Sequence, residues 1–239
     1  SLHDALPILH LFLPSLVVPE GVQLLPASRH WVDLPPWMIG QPCDAIWIYL
    51  DGSFRSEEKG AGIGVAAFIR AGTAWFSAGM ISSCIQASDS YTPEVAAALV
   101  ASKFAFDLAK QVLFAQTSPC EIWIGFDSLT VGQQMAGAWN SYKAPMATSA
   151  MRSLHRLIEA RFGIKPQSWH IPSHKGEPGN ELVDALAESA ARDGGLHDVK
   201  PFLDYILSPA CARALEWMWL LFDPSYSRHW QETRSEEHT

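Results

Sequence analysis

Two stretches decide the fold: AIWIYLDGSF at residues 45–54 and GAGIGVAAFI at residues 60–69. The near-continuous apolar run 46–50 is typical of a strand that is buried on both faces. The Asp51-Gly52-Ser53 triplet is a turn sequence, so it predicts that this strand ends at an acid. Further apolar runs at 63–69 and 73–81 predict an antiparallel three-strand meander. Asp51 is therefore predicted at the end of its innermost strand.

The composition is that of a globular protein. The chain has 239 residues, 48% of them hydrophobic, and a formal net charge of -8. It can bury the core of one domain of about 150 residues plus flanking segments. The negative charge excludes nucleic-acid binding by overall charge alone, so a polyanion must be met by a local basic patch.

The four cysteines, Cys43, Cys84, Cys120 and Cys211, form no C-x-x-C pair. The pattern therefore indicates neither a zinc site nor a disulfide framework, and an intracellular location, cytoplasm or nucleus, is expected. The apolar stretch 9–18 is short and is broken by Pro14, so no membrane contact is expected.

Three regions are predicted along the chain. Residues 1–43 are rich in proline and lack periodicity, which predicts a linker or the end of a preceding domain. Residues 44–195 form the predicted domain, and 196–239 an extension with one apolar helix at about 210–222. Residues 1–8 and 234–239 resemble translated sequencing-adapter sequence, and the chain is expected to be a fragment of a longer reading frame.

A long helix is predicted after the meander. Thr92 followed by Pro93 is typical of a helix start, with Thr92 as the N-cap, and the helix should run to about Phe114. Small residues along it would let the helix approach the sheet closely and carry Glu94 toward Asp51.

The second half of the chain repeats the design of the first strand. An apolar run at 121–126 ends at Asp127, and Ser128 is predicted to cap a helix at 128–139. A helix at 147–162, a strand at 167–171 and a helix capped by Asn180 and ending near residue 192 follow. The order predicts an α/β fold with a five-stranded mixed sheet and helices on both faces. Asp51 and Asp127 then fall together at the carboxyl ends of parallel strands.

Each acid alone has an ordinary structural explanation. Asp-Gly is a common turn, and Glu94 in a first helical turn suits the helix dipole. Asp184 lies at helical spacing from Glu181 and Glu188, which fits a solvated helix face. The functional hypothesis therefore depends on the set of acids.

The set resembles the ribonuclease H family, in the form carried by retroelement polyproteins. DGS at 51–53 resembles the end of the family's first catalytic strand, and YTPEVAA at 91–97 its second-acid helix. FDS at 126–128 is similar to its third-acid strand, and SHKGEPGNELVDALA at 173–187 to its His loop and last acid helix. The resemblance covers about residues 44–192.

The resemblance implies a metal-dependent endonuclease that hydrolyses the RNA strand of RNA–DNA hybrids by a two-metal mechanism. It also implies a retrotransposon-like polyprotein with a reverse transcriptase domain. Four carboxylates would hold two Mg²⁺ ions, with Mn²⁺ as a substitute, because clustered carboxylates stay ionised only beside cations. The implied metal ligands are Asp51, Glu94, Asp127 and Asp184, and His174 would move a proton or help product leave.

Substrate contacts are predicted mainly from positive charge. Residues 151–175 carry five basic residues against one acid, a candidate phosphate track inside an acidic chain. Arg152 and Arg156 also fit an ordinary solvated helix face. The predicted substrate-binding residues are Gly52, Ser53, Ser128, Asn180, Lys175, Arg152 and Arg156. Trp47, Trp123 and Trp169 lie on predicted strands and are interpreted as core.

Two alternatives stay open. A degenerate copy would bind hybrid without cutting it, and the presence of all four acids counts against this. A transposase or integrase on the same fold would act on DNA, and the helix motif at 179–187 counts against that.

Overall fold

The computed structural model describes residues 43–56, 60–113 and 120–218, together with Trp31, Leu34 and Met38. The predictions for 1–30 and 219–239 lie outside the described residues. The elements are β1 (Ala45–Arg55), β2 (Gly60–Ala71), β3 (Ala74–Ile85), α1 (Tyr91–Val112), β4 (Glu121–Phe126), α2 (Leu129–Met135), α3 (Pro145–Phe162), β5 (Gln167–His170), α4 (Pro178–Asp193), α5 (Lys200–Ile206) and α6 (Pro209–Met218).

The five strands form one mixed sheet in the order β3-β2-β1-β4-β5. The β1–β2 and β2–β3 pairs are antiparallel, whereas β1–β4 and β4–β5 are parallel. Alternate residues of β1 enter two cores: Ile48 and Leu50 pack with α1, and Tyr49 packs with residues of α4. Helices therefore cover both faces, and the predicted α/β fold with a five-stranded mixed sheet and helices on both faces is confirmed.

The first face is closed by α1. Its alanines Ala97, Ala98, Ala101 and Ala105 are fully buried, so the helix backbone lies close to the sheet. Phe104, Leu99 and Leu108 are also fully buried. A large apolar side chain removed from water in this way contributes about 1.5–3 kcal/mol to stability.

The second face is closed by α4, which packs against glycines of β2. A Cβ atom on Gly62 would lie 2.3 Å from the carbonyl oxygen of Ala187, and one on Gly64 would lie 2.1 Å from that of Val183. Only glycine leaves room for the helix backbone at these two positions. These glycines therefore set the depth at which α4 rests on the sheet.

The C-terminal extension was expected to hold one apolar helix at about 210–222, and a helix, α6, begins there at Pro209, whereas the preceding α5 was not predicted. Two helices, α5 and α6, lie within residues 196–218. Val199, Ile206 and Leu215 are buried in the same core cluster as α1 and α3. Ser149 of α3 donates a hydrogen bond to Glu216 of α6 at 2.9 Å. The domain's own helices thus supply the partner surface that an apolar C-terminal helix needs.

Three predicted local boundaries are wrong. β1 does not turn at Asp51 but continues to Arg55, because β2 pairs with it along its whole length. Thr92 is not the N-cap of α1, since the carboxylate of Asp89 accepts hydrogen bonds from both the backbone N–H and the hydroxyl of Thr92. Asn180 lies inside α4, which begins at Pro178, a residue suited to the first helical position.

No helix in the described part of the chain combines the length and apolar character needed to cross a bilayer.

Candidate active site

Asp51 and Asp127 stand beside each other where the parallel pairing of β1 and β4 stops. The last paired residues are Tyr49 and Gly125, and each acid follows two positions later. Asp51 is buried within β1 and pairs with Gly64 of β2. Asp127 follows the last residue of β4. The predicted meeting of these two acids at the carboxyl ends of parallel strands is therefore observed, although Asp51 lies inside its strand.

Glu94 reaches this edge because β1 and α1 come into direct contact. A Cβ atom on Gly52 would lie 2.3 Å from the backbone nitrogen of Glu94. Glycine at position 52 thus allows the first turn of α1 to sit against the strand. One carboxylate oxygen from each of Asp51, Glu94 and Asp127 lies within 4.8 Å of the other two.

Asp184 comes from the opposite face of the sheet, on α4. The preceding residue, Val183, packs on Gly64, which is the strand partner of Asp51. Asp184 therefore lies close enough to Asp51 to help raise the pKa of Asp51. Its own potential ligand atom groups with those of His174 and Glu181. The structure therefore brings together all four of the predicted acids, from four separate elements.

The electrostatics of the cluster are those of crowded, buried carboxylates. Burial and then the charges of neighbouring acids, first that of Asp51, together raise the pKa of Glu94 to about 9. Burial also raises the pKa of Asp51 to about 7, with added repulsion from Asp127 and Asp184. The pKa of Asp184 is raised too, mainly by burial. In the absence of a cation, part of this cluster holds protons near neutral pH.

The donor set fits a hard divalent cation. Within the described residues, Glu94 Oε2 is buried and has no hydrogen-bond partner. A buried carboxylate oxygen left in this state is costly unless a ligand binds it. The group formed by Asp51, Glu94 and Asp127 offers only oxygen atoms, which Mg²⁺ and Mn²⁺ prefer. These residues could hold a metal ion.

The His loop, residues 172–177, lies at the rim of this cluster. His174 Nδ1 is 3.7 Å from Asp184 Oδ2, and the His174 side chain is 75% exposed. The potential ligand atoms of His174, Glu181 and Asp184 lie within 4.8 Å of one another. Ser173 Oγ donates to Asp127 Oδ2 at 3.0 Å, which attaches the start of the loop to the cluster.

The predicted substrate-binding residues differ in their exposure and in their distance from the carboxylates along the chain. Lys175 is exposed next to His174, and Ser128 stands directly after Asp127 as the N-cap of α2. Ser53 is half-buried on β1, beside Gly52. The substrate roles of these residues stay predictions.

The other three predicted substrate-binding residues, Arg152, Arg156 and Asn180, lie in different surroundings from Lys175, Ser128 and Ser53. Arg152 binds protein oxygen atoms, since its guanidinium donates to the carbonyls of Gln134 and Trp139 and to Asn140. Arg156 is exposed on α3. Asn180 is 2% exposed, and its Oδ1 has no hydrogen-bond partner among the described residues.

Sequence reasoning missed the residues that support the His loop. Tyr49 donates a hydrogen bond from its hydroxyl to Glu177 Oε1 at 3.0 Å. The backbone N–H of Gly176 donates to Glu181 Oε1 at 3.2 Å. Tyr49 carried a signal, because a tyrosine on a buried strand needs a partner for its hydroxyl.

Comparisons with known proteins find similarity to solved structures at low sequence identity. No family model and no curated protein matches the chain. It is similar to RNase H1 from the halophilic archaeon Halobacterium salinarum NRC-1, with 22% identity over 63% of this chain and 99% of that chain and a TM-score of 0.43. LC11-RNase H1, solved in complex with RNA/DNA hybrid, has 22% identity over 61% of this chain and 98% of that chain and a TM-score of 0.45.

A viral structure is also similar. The foamy viral protease-reverse transcriptase in complex with RNA/DNA hybrid has 15% identity, and the match covers 73% of this chain and 22% of that chain with a TM-score of 0.44. At these identities and TM-scores, we base the functional proposal on the residues of this chain alone.

Proposed function

We propose that this chain is a metal-dependent endonuclease of the ribonuclease H family that hydrolyses the RNA strand of RNA–DNA hybrids. The observation that carries the proposal is the convergence of Asp51, Glu94 and Asp127 within 4.8 Å, with Asp184 beside them. Four carboxylates on four elements destabilise the fold through mutual repulsion, which a purely structural role does not explain.

The chemistry follows from the donor set. Two Mg²⁺ ions bound here would activate a water and neutralise charge on the scissile phosphate, as in two-metal phosphodiester hydrolysis. The carboxylates of Asp51, Glu94, Asp127 and Asp184 would hold the ions. The crowding that raises the pKa of Glu94 and Asp51 is relieved when cations replace protons.

His174 is assigned proton transfer at the rim of the site. Its side chain is exposed and lies 3.7 Å from Asp184, so it reaches both solvent and the cluster. An imidazole in this place can give or take a proton as product leaves.

Selection of hybrid over duplex DNA requires contact with the 2′-hydroxyl groups of the scissile strand. We assign this contact to backbone groups near Gly52, Ser53 and Ser128, which adjoin Asp51 and Asp127 in the chain. Lys175, exposed beside His174, supplies positive charge for a phosphate. The form of the motif at 173–187 supports a retroelement polyprotein as the source of the chain.

The proposal is tested with end-labelled RNA–DNA hybrid, duplex DNA and duplex RNA of one sequence, each incubated with the purified chain in Mg²⁺ or in EDTA. We expect internal cleavage of the RNA strand of the hybrid only, dependent on Mg²⁺. Retention of hybrid without cleavage would favour a degenerate binding domain. Cleavage of duplex DNA at an equal rate would favour a DNA-acting enzyme on the same fold.

A further inference from the structure

Tyr49 connects the central strand to the far end of the His loop. It lies on β1 two residues before Asp51 and is buried, with 5% of its surface exposed. Its hydroxyl donates to Glu177 Oε1 at 3.0 Å. Glu177 is the residue that precedes the first turn of α4. One hydrogen bond therefore joins the strand that carries Asp51 to the loop that carries His174.

The ring of Tyr49 also supports the start of α4 directly. A Cβ atom on Gly179 would lie 2.4 Å from ring carbon Cζ of Tyr49. Glycine at 179 therefore lets the helix backbone rest on the ring, and the hydroxyl reaches past it to Glu177. The rigid sheet thus fixes where the His loop ends and where α4 begins.

Such fixation matters because His174 holds an uncommon backbone conformation. Its φ is 52°, the only positive value at a non-glycine residue in the described chain. A side chain-bearing residue keeps this conformation only when its surroundings hold it there. The loop is held at Ser173 by Asp127, at Gly176 by Glu181 and at Glu177 by Tyr49. Among these three tethers, only the Tyr49 hydroxyl comes from a residue outside the four-carboxylate cluster and α4.

We propose that Tyr49 and Glu177 act as positioning residues, whose hydrogen bond keeps the His loop in the conformation that presents His174 to the reaction. This inference rests on the proposed function for its effect on catalysis. The Tyr49 hydroxyl itself touches no substrate, so its loss should act through His174 alone.

The test uses Tyr49→Phe and Glu177→Ala, which each remove the hydrogen bond, and Glu177→Gln, which keeps an acceptor oxygen. Loss of one such bond is expected to lower kcat by about 3- to 10-fold with little change in KM. Glu177→Gln should retain nearly wild-type kcat. Tyr205→Phe serves as the matched control, because Tyr205 is 69% exposed on α5.

A second readout does not depend on cleavage. Amide hydrogen exchange in residues 173–177 should speed up by a similar factor in Tyr49→Phe and Glu177→Ala, and stay at the wild-type rate in Glu177→Gln and Tyr205→Phe. If wild type cuts no hybrid, the proposed function fails while this exchange measurement still tests the tether. Unchanged exchange in both tether variants would overturn the inference.

The pathway of the effect is tested by combining variants. In a His174→Ala background, Tyr49→Phe should lower kcat by less than about 2-fold, because its route through His174 is already gone. The same fold loss in both backgrounds would overturn the positioning role, even with altered exchange. Glu177→Ala repeats this test without touching the core, so a folding defect of Tyr49→Phe does not decide the outcome.

Discussion

Glu94 differs clearly from an acid that serves only a helix terminus. A carboxylate in a first helical turn is normally stabilised by the helix dipole. Here burial and nearby charges raise the pKa of Glu94 to about 9, and its Oε2 has no hydrogen-bond partner within the described residues. The sequence alone gave no sign of this, because the environment of Glu94 is built from residues distant in the chain. A bound cation would lower the pKa of Glu94 and give its Oε2 a partner.

The raised pKa of Glu94 predicts a pH dependence of stability for the metal-free protein. Between the ordinary value of 4.5 and about 9, the folded state binds more protons than the unfolded state. Stability from this group is fully present below 4.5 and is lost as pH rises through 9. We expect the stability of wild type relative to Glu94→Gln to fall by an amount on the order of several kcal/mol across this range in EDTA.

Chemical denaturation of both proteins at a series of pH values in EDTA measures this difference. Taking the difference between the two proteins cancels groups that titrate elsewhere in the chain. Saturating Mg²⁺ should remove most of the fall, because the cation neutralises the carboxylate. A difference that rises with pH in EDTA would contradict the buried, crowded setting of Glu94.

His174→Ala is the second prediction at the scale of single residues. The substitution removes proton transfer but leaves the four carboxylates in place, so turnover of hybrid should fall by about 10²-fold or less. Mg²⁺ affinity, measured by the Mg²⁺-induced rise in melting temperature, should stay near that of wild type. Complete loss of activity together with a weakened Mg²⁺ effect would instead make His174 a metal ligand.

At the scale of elements, the strands were more predictable than their ends. Continuous apolar runs and the Asp-terminated design of β1 and β4 are local signals, and they predicted the sheet and the meeting of Asp51 with Asp127. The extension of β1 to Arg55 depends on its partner β2, which a local turn signal cannot report. The start of α1 was misplaced by two residues, because the helix begins at Tyr91 and Thr92 binds Asp89 instead of capping the helix.

The contact between β1 and α1 gives a prediction at this scale. In Gly52→Ala, the new methyl group would lie 2.3 Å from the backbone nitrogen of Glu94, so α1 must move away from the strand. Overpacking of this kind costs about 1–3 kcal/mol of stability. The shift should also separate Glu94 from Asp51 and abolish most hybrid cleavage.

Thermal melts in EDTA and in Mg²⁺, with cleavage assays alongside, measure both effects of Gly52→Ala. The loss of stability should persist in EDTA, because packing rather than metal binding causes it. Wild-type stability and activity in this variant would contradict the close approach of the helix.

At the scale of the whole molecule, the site lies at the carboxyl ends of the parallel strands and receives residues from both faces of the sheet. Glu94 arrives from α1 on one face and Asp184 from α4 on the other, and the central strand carries Asp51 between them. Glycines 52 and 64 allow these two approaches, yet in sequence they resemble ordinary strand or turn glycines. Sequence motifs therefore predicted which acids meet, whereas only the packed structure explains how they meet.

The one measurement that tests the clustered-carboxylate site most directly is a set of thermal melts of wild type and Asp51→Asn, each in EDTA and in millimolar Mg²⁺. Asp51→Asn removes repulsion, so we expect the metal-free variant to be as stable as wild type or slightly more stable, with a smaller Mg²⁺-induced rise in melting temperature. Asp204→Asn, at an exposed residue of α5 paired with Lys200, should keep the full Mg²⁺ effect. An Asp51→Asn protein that melts several degrees lower in EDTA and keeps the wild-type Mg²⁺ shift would contradict a cation site at Asp51, Glu94, Asp127 and Asp184.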